Sequence, residues 1–276
     1  MKRLILGAAL LATPVFAQHE GHQMPMPAPA PAPAPVASGE ENAADRFYDP
    51  ALMARKRKTE LIDMHGGFTG SMILLDQFEV QSRKGRDGYK WDAQGWYGGD
   101  VSRLWMKSEG EGDFGGRPEQ AQVQALYSRA IGPFFNLQAG IRHDVRPDPD
   151  RTHLVVGVEG LARYWFEVDG ALFLSNKGEV TARLEAEYDQ RLTNRLILQP
   201  AVELNLSAQD APAIGLGSGL SSVEAGLRLR YEIVPELAPY IGVEYERKLG
   251  DTARFGRLRG DDPGGWNLVA GVRLWF

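Results

Sequence analysis

Two histidines and two methionines stand within eight residues near the start of the chain: His19, His22, Met24 and Met26, in the run QHEGHQMPMP over 18–27. Imidazole suits Cu(II), and a thioether is a soft donor that selects Cu(I). Pro25 and Pro27 follow the two methionines and keep the segment extended, so both sulfurs can be reached. The chain has no cysteine, so any metal must be held by His, Met or carboxylate. These four residues are a candidate copper site. The competing reading is a solvated tail where His and Met fall together by chance. HEGH is not the helical HExxH zinc motif, because its spacing is wrong and its flanks cannot form a helix.

Two weaker ligand groups lie further on. Met64, His65 and Met72 form one, against ordinary packing. His143 and His153, with Asp144, Asp148 and Asp150 around a loop, form the other, against a polar rim. Gly215, Gly217 and Gly219 make a GxGxG run, but no helix follows it, so a dinucleotide site is not expected. No outward Ser and His pair on neighbouring strands, so hydrolase chemistry is not expected and the chain reads as a non-enzyme. A formal charge of −5 gives no case for nucleic acid.

The elements that must carry these residues follow in order. Met1-Lys2-Arg3 is basic, Leu4 to Val15 is apolar, and Val15-Phe16-Ala17 fits a cleavage site, so residues 1–17 read as a secretory signal peptide. Cleavage would remove Lys2 and Arg3 and take the charge from −5 to −7. Residues 18–48 read as a disordered leader. Its Ala-Pro run from Pro27 to Pro35 would be a polyproline II spacer. Asp49-Pro50 signals a helix start, and a short helix is expected over 49–66, ended by Gly66-Gly67, with one face against the barrel base or in its lumen.

Residues 67–276 read as an all-β, 12-stranded antiparallel transmembrane β-barrel. Alternating segments are expected at 72–82, 89–97, 100–109, 120–130, 134–144, 152–163, 166–174, 179–189, 195–206, 222–232, 238–247 and 267–276. Val223, Ala225, Leu227, Leu229 and Tyr231 alternate with Glu224, Gly226, Arg228 and Arg230. The parity of the first and third segments is ambiguous. Short links such as Gly98-Gly99 alternate with mostly longer ones, up to Lys248–Trp266, as in an outer-membrane barrel with both ends in the periplasm. Tyr89, Trp91, Trp165, Phe166, Tyr245, Trp275 and Phe276 sit near strand ends, where aromatic girdles belong. The inward face gathers Arg183, Glu185, Glu187, Arg195, Glu203, Glu224, Arg228, Arg230, Glu232, Glu244 and Glu246. Such a face predicts a narrow, salt-bridged lumen, in which Arg228 pairs with neighbours such as Glu203 and Glu244.

Several stretches in order resemble the copper resistance protein B family. They are QALYSR (124–129), GIRHD (140–144), YWFE (164–167), EYD (187–189), RLILQP (195–200), GLRLRYE (226–232), APYIGV (238–243) and the terminal GVRLWF. The likeness covers about Asp49 to Phe276. The leader is shorter than those typical of the family, and Arg163 stands where the family pattern has Pro. The resemblance implies a copper-binding protein of the bacterial outer membrane, working beside a periplasmic multicopper oxidase. Copper and membrane lipid are then its partners. The alternative is a narrow passive channel or structural barrel with an incidental tail.

Overall fold

The structure, a computed structural model, describes residues 42–63 and 68–276. The described residues up to Lys58 belong to a unit of their own. Within it, helix α1 (Pro50–Lys56) starts where Asp49 accepts a hydrogen bond from the Ala51 N–H, with Pro50 in the first turn. A wider helical turn, Arg57–Ile62, continues it. Arg57 forms a two-pronged ion pair with Asp45, at 2.5 and 3.0 Å.

The second unit is the barrel. Its strands are β1 (Gly70–Ser82), β2 (Gly88–Gly98), β3 (Ser102–Asp113), β4 (Gln120–Ala130), β5 (Phe135–Arg146), β6 (Arg151–Leu161) and β7 (Glu167–Ser175). They continue with β8 (Val180–Glu187), β9 (Gln190–Arg191), β10 (Leu196–Ser207), β11 (Gly219–Tyr231), β12 (Leu237–Lys248) and β13 (Trp266–Trp275). β8 and β9 both pair with β10 and are two parts of one interrupted strand, so the barrel has twelve staves. All neighbours are antiparallel, and β13 pairs with β1 to close the sheet. Phe276 and Ile73 exchange backbone hydrogen bonds of 2.9 and 3.0 Å across that seam. Closure leaves no unpaired edge, which is what a sheet needs in hydrocarbon.

The outward face is apolar all round. Ile73, Leu104, Ile141, Leu154, Leu172, Leu184, Ile241 and Leu268 each leave half or more of their surface uncovered. A belt of that extent is a lipid-facing surface. Aromatic residues flank it: Phe134, Tyr164, Trp165 and Phe276 towards the end with the short turns, Phe114 and Trp266 towards the end with the long loops. Among the described residues no helix is long and apolar enough to cross a membrane.

The two segments of ambiguous parity have physical explanations. In β1 the register with β2 slips between Leu75 and Gln77, so Asp76 is an extra residue. Such a bulge moves the inward set by one position. Leu74 faces in before it; Glu79 and Gln81 do so after it. In β3 the outward positions Ser108, Gly110 and Gly112 are small, so the hydropathy contrast vanishes. Trp91 stands opposite Gly110 and donates to Ser108 Oγ at 3.2 Å, covering the gap.

At the long-loop end, helix α2 (Gly250–Arg259) occupies what reads as plain loop in the sequence. The glycine run lies against it. The Gly217 N–H donates to Thr252 Oγ1 at 2.9 Å, and a Cβ on Gly217 would stand 2.5 Å from the Thr252 nitrogen. Gly215 takes a left-handed φ of 73°. These glycines therefore serve close backbone packing.

Candidate functional site

His19, His22, Met24 and Met26 lie outside the described residues, as do Met64 and His65. Met72 is near the short-turn end of β1, directly opposite Trp96, and lines the lumen. The two rim histidines do not come together, which corrects the paired-rim expectation. His143 is exposed on the outward face, 3.0 Å from Thr152 Oγ1. His153 is buried on the inward face, edge-on to Phe173. They are on adjacent strands with opposite parity, so the wall separates them. His153 Nδ1 is 3.7 Å from Asp144, whose carboxylate is already gripped by Arg142 at 2.5 and 2.9 Å.

The lumen is one cavity of ≈ 2510 Å³. Gly132, Pro133 and Pro235 line it at the short-turn end, and Arg86, Glu119 and Gly264 at the long-loop end. Residues directly opposite one another on successive strands form rows, and because barrel strands tilt, each row climbs as it winds around the wall. One row is apolar: Met72, Trp96, Trp105, Leu126, Gly140, Val155 and Phe173. Trp105, Leu126, Val155 and Phe173 are buried in a cluster, with Trp96 packed beside them. Arg103 lies over the Trp96 ring at 4.3 Å and Arg142 over Phe173 at 4.7 Å.

A second row is acidic: Glu159, Asp169, Glu185, Glu203, Glu224 and Glu246 stand opposite one another in sequence across β6, β7, β8, β10, β11 and β12. Glu159 is near the short-turn end of β6, and Glu246 near the long-loop end of β12. Cations reach this row from across the lumen and from within β8 itself. Lys107 on β3 contacts Asp169 at 3.2 Å and Glu159 at 3.6 Å. Arg183 contacts Glu185 and Glu203, each at 3.5 Å, and crosses to Glu109 on β3 at 2.6 Å. Lys90 on β2 pairs with Glu224 and lies 3.6 Å from Glu244.

Arg228 anchors the most buried network. It grips Glu79 through Nε and Nη2, both at 3.1 Å, and Glu244 through Nη2 at 2.7 Å. Tyr240 donates to Glu79 at 3.0 Å, and Gln81 donates to Glu79 and Glu244 at 3.1 Å. The expected Arg228–Glu244 pair is present, while Glu203 pairs with Arg183 instead. Arg230 points inward and pairs with Asp189 at 2.5 Å. Arg195, expected inward, is exposed on the turn before β10.

Among the described residues no three His, Cys, Asp or Glu gather closely enough to hold a metal ion. The lumen therefore offers carboxylates in succession rather than a multidentate trap. Sequence reading missed Lys90, Lys107, Glu109, Glu159 and Asp169 as lumen residues. For Lys90, Lys107 and Glu109 the signal was the alternation Lys90-Asp92-Gln94 and Lys107-Glu109-Glu111, hidden in β3 by its small outward residues.

The copper resistance protein B precursor family model matches residues 69–276. Copper resistance protein B of Escherichia coli is 44% identical over 77% of this chain and 72% of its own length. A homolog from Pseudomonas syringae pv. tomato is 43% identical over the same shares. Among solved structures, the NanC porin superposes with a TM-score of 0.50 at 13% identity, covering 72% of this chain and 98% of that one, a likeness of fold.

Proposed function

Because this chain belongs to the copper resistance protein B family, with a role in copper resistance and a barrel of the outer membrane, we propose that it binds copper through its leader and sequesters it or passes it out of the periplasm. The observation that carries this reading is the density of soft and borderline donors: His19, His22, Met24 and Met26 within eight residues, in a chain with no competing thiolate. The Ala-Pro spacer gives that site reach in the periplasm, where a multicopper oxidase would be its partner. Carboxylates outnumber lysines and arginines along the lumen wall, which favours a cationic cargo over an anionic one. The protein itself does no chemistry on the ion.

Copper titration of the purified full chain tests the leader. Replacing His19, His22, Met24 and Met26 together by Ala should remove the tightest copper equivalent and leave barrel assembly unchanged. If that variant binds as much copper, as tightly, as the parent, the leader is an incidental tail. The end-to-end cavity then favours the plain narrow channel, and Met64, His65 and Met72 become the residues to substitute.

A further inference from the structure

We infer that the barrel is a cation-selective pore whose route is the carboxylate row from Glu159 to Glu246, with Lys107, Arg183 and Lys90 as resident counter-ions that a passing cation displaces. Carboxylates placed directly opposite each other across a ladder repel. Here six are stacked in unbroken register over six strands. The protein relieves the repulsion with its own cations: Lys107 bridges the first two carboxylates, Arg183 the next two, and Lys90 holds the fifth. Those side chains show, independently of the acidic row, that successive steps of it accept positive groups.

Three contacting cations against six carboxylates leave the row with an excess of acidic groups, which favours cations over anions along it. The row begins near the short-turn end of the cavity and ends near its long-loop end, and residues of both ends line that cavity. No step gathers three donors, so a cation is attracted at each position without being trapped, the balance that conduction needs. The resident groups on β2 and β3 are lysines, each a point charge on a flexible stem that can swing off a carboxylate. The substrate class is small cations, hydrated metal ions included. This deepens the passage reading by naming the route, yet it stands on ion selectivity and not on copper capture by the leader.

The test is current through the folded full-length protein in a planar bilayer under a KCl gradient. The parent should show a reversal potential set by K⁺, with a preference over Cl⁻ of about tenfold. Glu185→Gln with Glu203→Gln, isosteric and still leaving Arg183 its Glu109 partner, should bring the ratio towards one. Lys107→Met should raise the cation preference, which a merely structural lysine would not do. The quadruple Ala variant of the leader should keep the parent's selectivity, so failure of the copper reading and failure of this one are separable. An unselective or anion-preferring parent, an inserted parent that passes no current, or a Glu185→Gln/Glu203→Gln variant with the parent's ratio would overturn the inference.

Discussion

Arg228 shows what one side chain does for this lumen. Arg228 is 3% exposed, and its two carboxylate partners, Glu79 and Glu244, are no more open than that. A guanidinium there is stable only because a two-pronged contact to Glu79 and a contact to Glu244 replace its lost water. Arg228→Leu strips both carboxylates of that partner and should destabilise the barrel by about 3–5 kcal/mol. Urea unfolding in detergent, followed by the shift between folded and unfolded gel mobility, measures it; a midpoint equal to the parent's would show that the pairing is dispensable. Half of this network was legible beforehand. The alternation of β11 and β12 announced Arg228 and Glu244 as inward, since both strands are regular. Glu79 was not legible, because the extra residue Asp76 switches parity inside β1 and a bulge of one residue leaves no mark on composition. The aromatic row was hidden for a related reason: Trp105 lies in β3, whose small outward residues leave its parity ambiguous.

The elements divide in the same way. Strand positions follow alternation to within a few residues, as β4 at Gln120–Ala130 and β10 at Leu196–Ser207 show. Helix α2 escaped because ten residues with Gly at both the first and seventh positions, and Arg254, Arg257 and Arg259, carry no apolar stripe. It is held by contact with the glycine loop, a tertiary cause that local pattern does not contain. Gly217→Val should push α2 off the 208–218 loop, because the first added carbon already meets the Thr252 backbone. Limited proteolysis should then cut within 250–265 faster than in the parent, with the barrel band intact; unchanged cutting would show that the contact does not hold the helix. Asp210 adds a pH dependence to the same loop. Its carboxyl accepts from the Ser218 N–H at 2.7 Å, which holds its pKa below the usual aspartate value. A carboxyl held low in the fold stabilises fully above that usual value and loses the contribution as pH falls through the lowered one. Hydrogen exchange at Ser218 should therefore rise on strong acidification, after correction for the intrinsic rate. Asp210→Asn should remove that pH dependence.

For the whole molecule, the even strand number was legible because two independent features agreed, alternation along segments and the sorting of link lengths between them. The structure adds that the ladder closes with β1 and β13 side by side, so residue 70 and residue 275 are at the same end. That end holds the short turns, such as Leu192–Arg195 and Glu232–Glu236, and the other holds α2 and the 208–218 loop. Barrels of the outer membrane keep short turns in the periplasm and longer loops outside. The same rule orients this one, with the start of β1 and the end of β13 on the periplasmic side and Glu246 near the outer end of the lumen. Gly98 is a poor place to test it, since its φ is +151° and an added side chain would be strained. Ala213 and Glu236 are exposed at opposite ends and tolerate a side chain. In intact cells, Ala213→Cys should react with a membrane-impermeant maleimide and Glu236→Cys should react only after the outer membrane is breached. Labelling in the reverse order would invert the barrel and count against the proposed collection of copper from the periplasm.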